Sequence, residues 1–179
     1  MDRTEDEAAD EHSYEGMEVV LCLGNRYMGD DGVGPEISRR LRELDLGQRV
    51  VVKDSVSIDL GTMWRFRSAK RLLVVDAVRT GESPGTVSRH VLVPGEGSVS
   101  PLPSLHGLDL VSALDLVSAG GALLEAVVVG VEPKDCEAGE GLSLEVEAAI
   151  PGAIDAVLTE LRGADARKHQ GGPEPPKAN

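Results

Sequence analysis

Aromatic side chains are nearly absent from this chain: 179 residues hold one Trp, two Tyr and one Phe. A core without rings must be filled by Val, Leu, Ile and Ala, a palette that suits a parallel sheet buried on both faces. Cysteine is scarce too. Cys22 and Cys136 lack the paired spacing of a disulfide framework, and no signal-like segment precedes them. No apolar run approaches the roughly 20 residues that span a bilayer, and the first residues are acidic rather than signal-like. The expectation is a cytoplasmic chain with no membrane partner. Positive charge is short as well: the formal net charge of −13 argues against nucleic acid as a partner and favours a basic peptide or a metal cation. Also missing are a Gly-x-Ser-x-Gly elbow, a His-Glu-x-x-His helix and a paired Cys–His set, so the familiar hydrolase chemistries have no foothold.

Both ends are set apart by composition. Residues 1–16 carry seven acids and almost nothing apolar, which predicts a disordered acidic arm. A tail over 163–179, with Gly171, Gly172, Pro173, Pro175 and Pro176, predicts the same. A single domain over 17–162 lies between them. His12 and His169 fall in the arms and carry no catalytic weight.

Within the domain, strand-like and helix-like stretches alternate. Strands are expected over 19–23, 49–53, 72–75, 86–93 and 126–131, and helices over 32–45, 58–69, 104–119 and 143–161. The fourth strand alternates in polarity and is framed by Pro-Gly pairs, as an antiparallel or edge strand would be. The last helix contains Pro151 and is expected to bend or restart there. The pattern is that of a doubly wound α/β fold: three layers, α/β/α, around a mostly parallel sheet of about five strands.

The most informative segment follows the first strand: Gly24-Asn25-Arg26-Tyr27-Met28-Gly29-Asp30-Asp31-Gly32-Val33-Gly34. A strand passing into a helix through glycines usually cradles a phosphate. Here the turn itself holds two carboxylates and no lysine, so it would repel a phosphate and suits a cation or a water. In such folds chemistry gathers at the carboxyl ends of parallel strands. That rule selects Asp30 and Asp31 after the first strand, Asp54 after the second, Asp76 after the third, Glu132 after the last, and His106 at the start of a helix. Asp30 is read as a helix cap, Asn25 as a turn closer, Cys22 as a packed core thiol and His90 as strand surface. Two carboxylates and an imidazole would form a ligand set for zinc or nickel, with positions open for water or substrate.

Four blocks in order carry a resemblance: the acidic glycine turn from Leu23 to Gly34; Val74-Val75-Asp76-Ala77-Val78 with Pro84-Gly85-Thr86; Ser104-Leu105-His106-Gly107-Leu108; and Gly130-Val131-Glu132-Pro133. Over about residues 17–162 the chain resembles the hydrogenase maturation endopeptidases. It departs from their pattern at Cys22, where members often have glycine, and at Asp31, where others carry Glu. The resemblance implies that Asp31, Asp76 and His106 are the catalytic and metal-contacting residues. It further implies removal of a C-terminal extension from a [NiFe] hydrogenase large-subunit precursor after nickel insertion. The nickel would belong to the precursor, with no permanent cofactor in the protease. Other readings of the same residues are a non-hydrolytic nickel-handling chaperone, a small-ligand α/β module and a general metallopeptidase with resident zinc.

Overall fold

Strand β1 (Glu18–Leu23) is buried along its whole length, as an apolar run must be when strands flank it on both sides and helices cover both faces. In this computed structural model, which describes residues 14–93, 110–119 and 125–167, β1 leads into a 3₁₀ turn (Gly29–Gly32) and helix α1 (Val33–Leu41). There follow β2 (Val50–Ser55), α2 (Leu60–Arg65), β3 (Arg71–Ala77), β4 (Val87–Leu92), α3 (Leu110–Ala119), β5 (Glu125–Val131) and α4 (Leu144–Arg167). The strands form one sheet in the order β2-β1-β3-β5-β4. The pairings β1–β2, β1–β3 and β3–β5 are parallel, and β4 runs antiparallel to β5 at the edge, as its alternating sequence predicts.

The two-residue period of the strands divides the core. Val19, Leu21, Leu23, Leu72 and Val74 face Met63 of α2, Phe66 at its end, and Leu110, Ala113, Leu114 and Val117 of α3. Val20, Cys22, Leu73 and Val75 face Val33, Ile37 and Leu41 of α1 and Val146, Ile150, Ala153 and Val157 of α4. Each such buried side chain contributes about 1.5–3 kcal/mol. The three-layer α/β/α architecture with a mostly parallel five-stranded sheet is the one expected. Among the described residues no helix is long and apolar enough to cross a membrane.

Several boundaries differ from expectation. Tyr14 and Glu15, assigned to the acidic arm, are part of the fold: the Tyr14 ring meets Phe66 edge-on at 5.0 Å between centroids, and Glu15 bridges Ala69. At the other end α4 continues through Gly163 to Arg167, because extending a formed helix needs far less than starting one. The rest of the two expected arms, 1–13 and 168–179, lies outside the described residues. The helix does not restart at Pro151 but runs through it as one element. Pro151 is exposed, while Ile150 before it and Ala153 and Val157 after it are buried on one stripe, so packing against the sheet continues on both sides of the proline. Helix α1 stops at Leu41 and leaves Leu44 exposed.

Candidate active site

From β1 the chain crosses through α1 to β2 on one side, then returns through α2 to β3 on the other side of β1. Right-handed crossovers in opposite directions lie on opposite faces, and α1 and α2 do pack on opposite core clusters. They diverge at the carboxyl ends of β1 and β3, the switch point at which doubly wound sheets bind ligands. Asp31 stands in the turn after β1 and Asp76 near the end of β3.

Close approach of backbone to backbone builds the turn. Gly24 has φ +138°, and a Cβ there would sit 1.9 Å from the Asp31 carbonyl oxygen; a Cβ on Gly34 would lie 1.9 Å from the oxygen of Leu23. Only glycine lets the helix start fold back onto the strand end at these two places. The Asn25 side-chain oxygen accepts from Tyr27 N–H at 3.0 Å, closing the turn as expected, and Asn25 N–H donates to Asp31 Oδ2 at 2.8 Å. Asp31 is 5% exposed, and its 3₁₀ turn packs against β3.

Asp76, 1% exposed, lies within β3 rather than after it, opposite Gly130 of β5. By alternation its side chain shares a face with Leu72 and Val74, the α2–α3 side of the sheet. The third expected member, His106, lies outside the described residues. Among the described residues no three His, Cys, Asp or Glu side chains cluster as a metal site.

Other shortlisted acids have structural partners. Asp30 accepts from the backbone N–H groups of Lys134 at 2.7 Å, Asp135 at 3.1 Å and Ser143 at 2.6 Å, and from the Ser143 hydroxyl at 2.9 Å. Burial would raise its carboxyl, but these donors outweigh burial and hold it below the usual carboxylate range. Its expected role as a cap on its own helix is thus replaced by a tie to a distant loop. Glu132 accepts from Thr80 N–H and Thr80 Oγ1, both at 2.6 Å; burial is again outweighed by these donors, and its carboxyl is held low. Asp54 lies inside β2 and pairs with Arg42 at 3.0 Å. His90 meets Ser88 Oγ at 3.0 Å on the edge strand, and the Cys22 thiol is pushed up to about 12, chiefly by burial. Both match their expected non-catalytic readings.

One feature of the site escapes the sequence reading. The segment joining β5 to α4 is hung on the acidic turn not only through Asp30 but by Asp30 N–H to Asp135 O at 2.8 Å, Gly29 N–H to Gly139 O at 2.8 Å and Gly139 N–H to Tyr27 O at 2.9 Å. This brings Cys136 within reach of the charges of Arg79, Asp31 and Asp30, although burial is what chiefly keeps its thiol raised. Nothing local announces the contact, since the partners lie 104 to 113 residues apart in the Asp30 bonds. A clustering of Gly139 and Gly141 with acids is the one trace in the sequence.

This geometry has close counterparts. Residues 35–160 match the family model HycI, hydrogenase maturation protease. The hydrogenase 3 maturation protease of Escherichia coli is 27% identical over 148 residues, spanning 82% of this chain and 89% of that protein. The hydrogenase 2 maturation protease of the same organism is 31% identical over 156 residues, spanning 80% of this chain and 90% of the relative. In structure, the hydrogenase maturating endopeptidase HybD from Escherichia coli superimposes with a TM-score of 0.70 at 26% identity, over 83% of this chain and 93% of that one. With the matched segment spanning most of its length, the chain belongs to the hydrogenase maturation protease family and is a peptidase.

Proposed function

We propose that this chain is an endopeptidase that removes the C-terminal extension of a [NiFe] hydrogenase large-subunit precursor once nickel is inserted, acting in the cytoplasm, with Asp31, Asp76 and His106 reading the nickel that the precursor carries. What supports this reading is a pair of nearly solvent-free carboxylates, Asp31 in the turn after β1 and Asp76 near the end of the neighbouring β3, in a chain of this family. Carboxylates gathered at one buried edge favour a cation between them. Carboxylates and an imidazole, without thiolate, suit brief contact with a borderline metal better than permanent capture.

Asn25 N–H fixes the orientation of the Asp31 carboxylate, and the rigid end of β3 fixes Asp76. A precursor that brings nickel supplies a cation for these carboxylates; an empty precursor brings none and docks poorly. The metal, as part of the substrate, polarises the scissile carbonyl. Water adds to the carbonyl carbon, the C–N bond breaks, and the departing amine takes up the proton that the water loses. The two carboxylates and His106 hold the reacting group in place and offset the charge that develops.

A gel time course of purified chain with nickel-loaded and nickel-free precursor tests this. The loaded precursor is expected to shorten, the nickel-free one to stay intact, and Asp76→Asn or His106→Ala to slow cleavage at least about 100-fold. Nickel-dependent binding without shortening would instead favour a chaperone. Stoichiometric zinc in the purified protein would contradict a borrowed metal.

A further inference from the structure

The fold divides the four aromatic residues evenly. Tyr14 and Phe66 meet in the core. Tyr27 and Trp64 stand in solvent, 60% and 45% exposed, and both belong to segments leaving the sheet at its carboxyl edge: Tyr27 in the turn after β1, Trp64 in the helix after β2. Leaving a chain's single Trp half in water forgoes the burial that so large a side chain offers. Surfaces built for association use Trp and Tyr in this way.

Two further apolar side chains accompany Trp64. Val56, the first residue beyond β2, is 63% exposed, and Leu60, 42% exposed, lies one helical turn before Trp64 on the same side of α2. Met63 and Phe66 bury the opposite side. Arg67 holds the Trp64 ring, its guanidinium carbon 4.7 Å from the centroid and its Nη1 donating to the Trp64 carbonyl at 2.8 Å. The segment is joined to the turn bearing Asp31, because Gly24 N–H donates to Ser55 O at 3.1 Å.

We infer that the outer side of α2, with Val56, Leu60 and Trp64, is the face on which the folded large-subunit precursor docks; the inference rests on the function proposed above. A scissile peptide that reaches the switch point between β1 and β3 brings the body of its own protein against whatever borders it. One border, the β5–α4 segment, is acidic through Asp135, Glu137 and Glu140. The border formed by β2 and α2 exposes Val56, Leu60 and Trp64 alongside the charged Asp59 and Arg65, and a folded partner covers these with an apolar patch and polar rim of its own. A second copy of this chain seated there would stand beside the switch point and obstruct a protein-sized substrate.

Because Trp64 is the only Trp, 5-fluorotryptophan labelling yields one ¹⁹F resonance that reports on this face in the full chain. Titration of the Asp76→Asn chain with the source organism's nickel-loaded precursor is expected to shift or broaden that resonance. In the uninhibited chain, Trp64→Ala and Leu60→Ser are expected to raise KM for the precursor about 10-fold while kcat stays within about twofold. Leu44→Ser, an exposed apolar site beyond the far end of α1, is expected to change neither. Efficient cleavage by wild type together with an unmoved resonance and unchanged KM in both variants overturns the docking face and leaves the peptidase reading intact. A resonance that moves with the chain's own concentration, matched by dimer mass in light scattering, assigns the face to a second copy and overturns it as well. Failure of wild type to cut any loaded precursor overturns the function, and this inference with it.

Discussion

Asp30 and Asp31 are adjacent, both buried, and differ in what surrounds them. Asp30 takes four hydrogen bonds from residues 134–143, so removing its carboxylate leaves buried N–H groups without an acceptor. Asp30→Ala is expected to lower stability by about 2–4 kcal/mol, read by urea unfolding followed at Trp64. The sign of its pH dependence follows from a folded pKa below the unfolded one: the contribution is complete above the unfolded value of about 3.9 and is lost as pH falls through the lower folded value. Urea midpoints taken from pH 6 down to pH 3 should therefore fall more steeply for wild type than for Asp30→Asn.

At the scale of elements, the turn between β1 and α1 depends on backbone contact. Gly24→Ala would force a Cβ to 1.9 Å from the Asp31 oxygen at a positive φ. The expected outcome is displacement of the acidic turn, with cleavage of the loaded precursor falling at least about 100-fold and thermal unfolding shifting down. Helix α4 offers the opposite case. Pro151 lacks the N–H that would bond the Glu147 carbonyl, and it sits on the exposed side of a helix that continues through it. Pro151→Ala is expected to raise stability by about 1–3 kcal/mol without changing activity, measured by denaturant unfolding and by precursor cleavage.

At the scale of the molecule, one ion cluster joins three elements. Glu160 of α4 takes the Arg71 guanidinium of β3 and the Arg89 guanidinium of β4, and its backbone oxygen accepts from Arg71 Nη1 at 2.8 Å. The Arg89 bond, then Arg71, holds the Glu160 carboxyl below its usual range despite burial. Glu160→Ala removes the carboxylate that Arg71 and Arg89 share and is expected to cost about 3–5 kcal/mol; Glu160→Gln, which still accepts hydrogen bonds, should cost less. Far-UV circular dichroism through a thermal ramp checks both. Arg71 opens β3, at the end of that strand away from Asp76, and the cluster includes neither Asp31 nor Asp76, so Glu160→Gln at permissive temperature should leave kcat unchanged.

The sequence by itself determined the layers and the edge of the sheet to which the shortlisted acids fall. Apolar runs without polar alternation can only be interior strands, their alternation with amphipathic stretches requires a wound parallel sheet, and carboxylates directly after such runs fall at its carboxyl edge. The readings of Asn25, Cys22 and His90 were legible for the same reason, since each depends on neighbours close in the chain. Only the tertiary structure decided what each acid is for. Asp30, Asp54 and Glu132 read like Asp31 and Asp76 in one dimension, and they part company through Ser143, Arg42 and Thr80, two of which lie far away along the chain. The anchoring of Tyr14 on Phe66 and the continuity of α4 through Pro151 also depend on packing against remote residues. Local propensity does not contain that information.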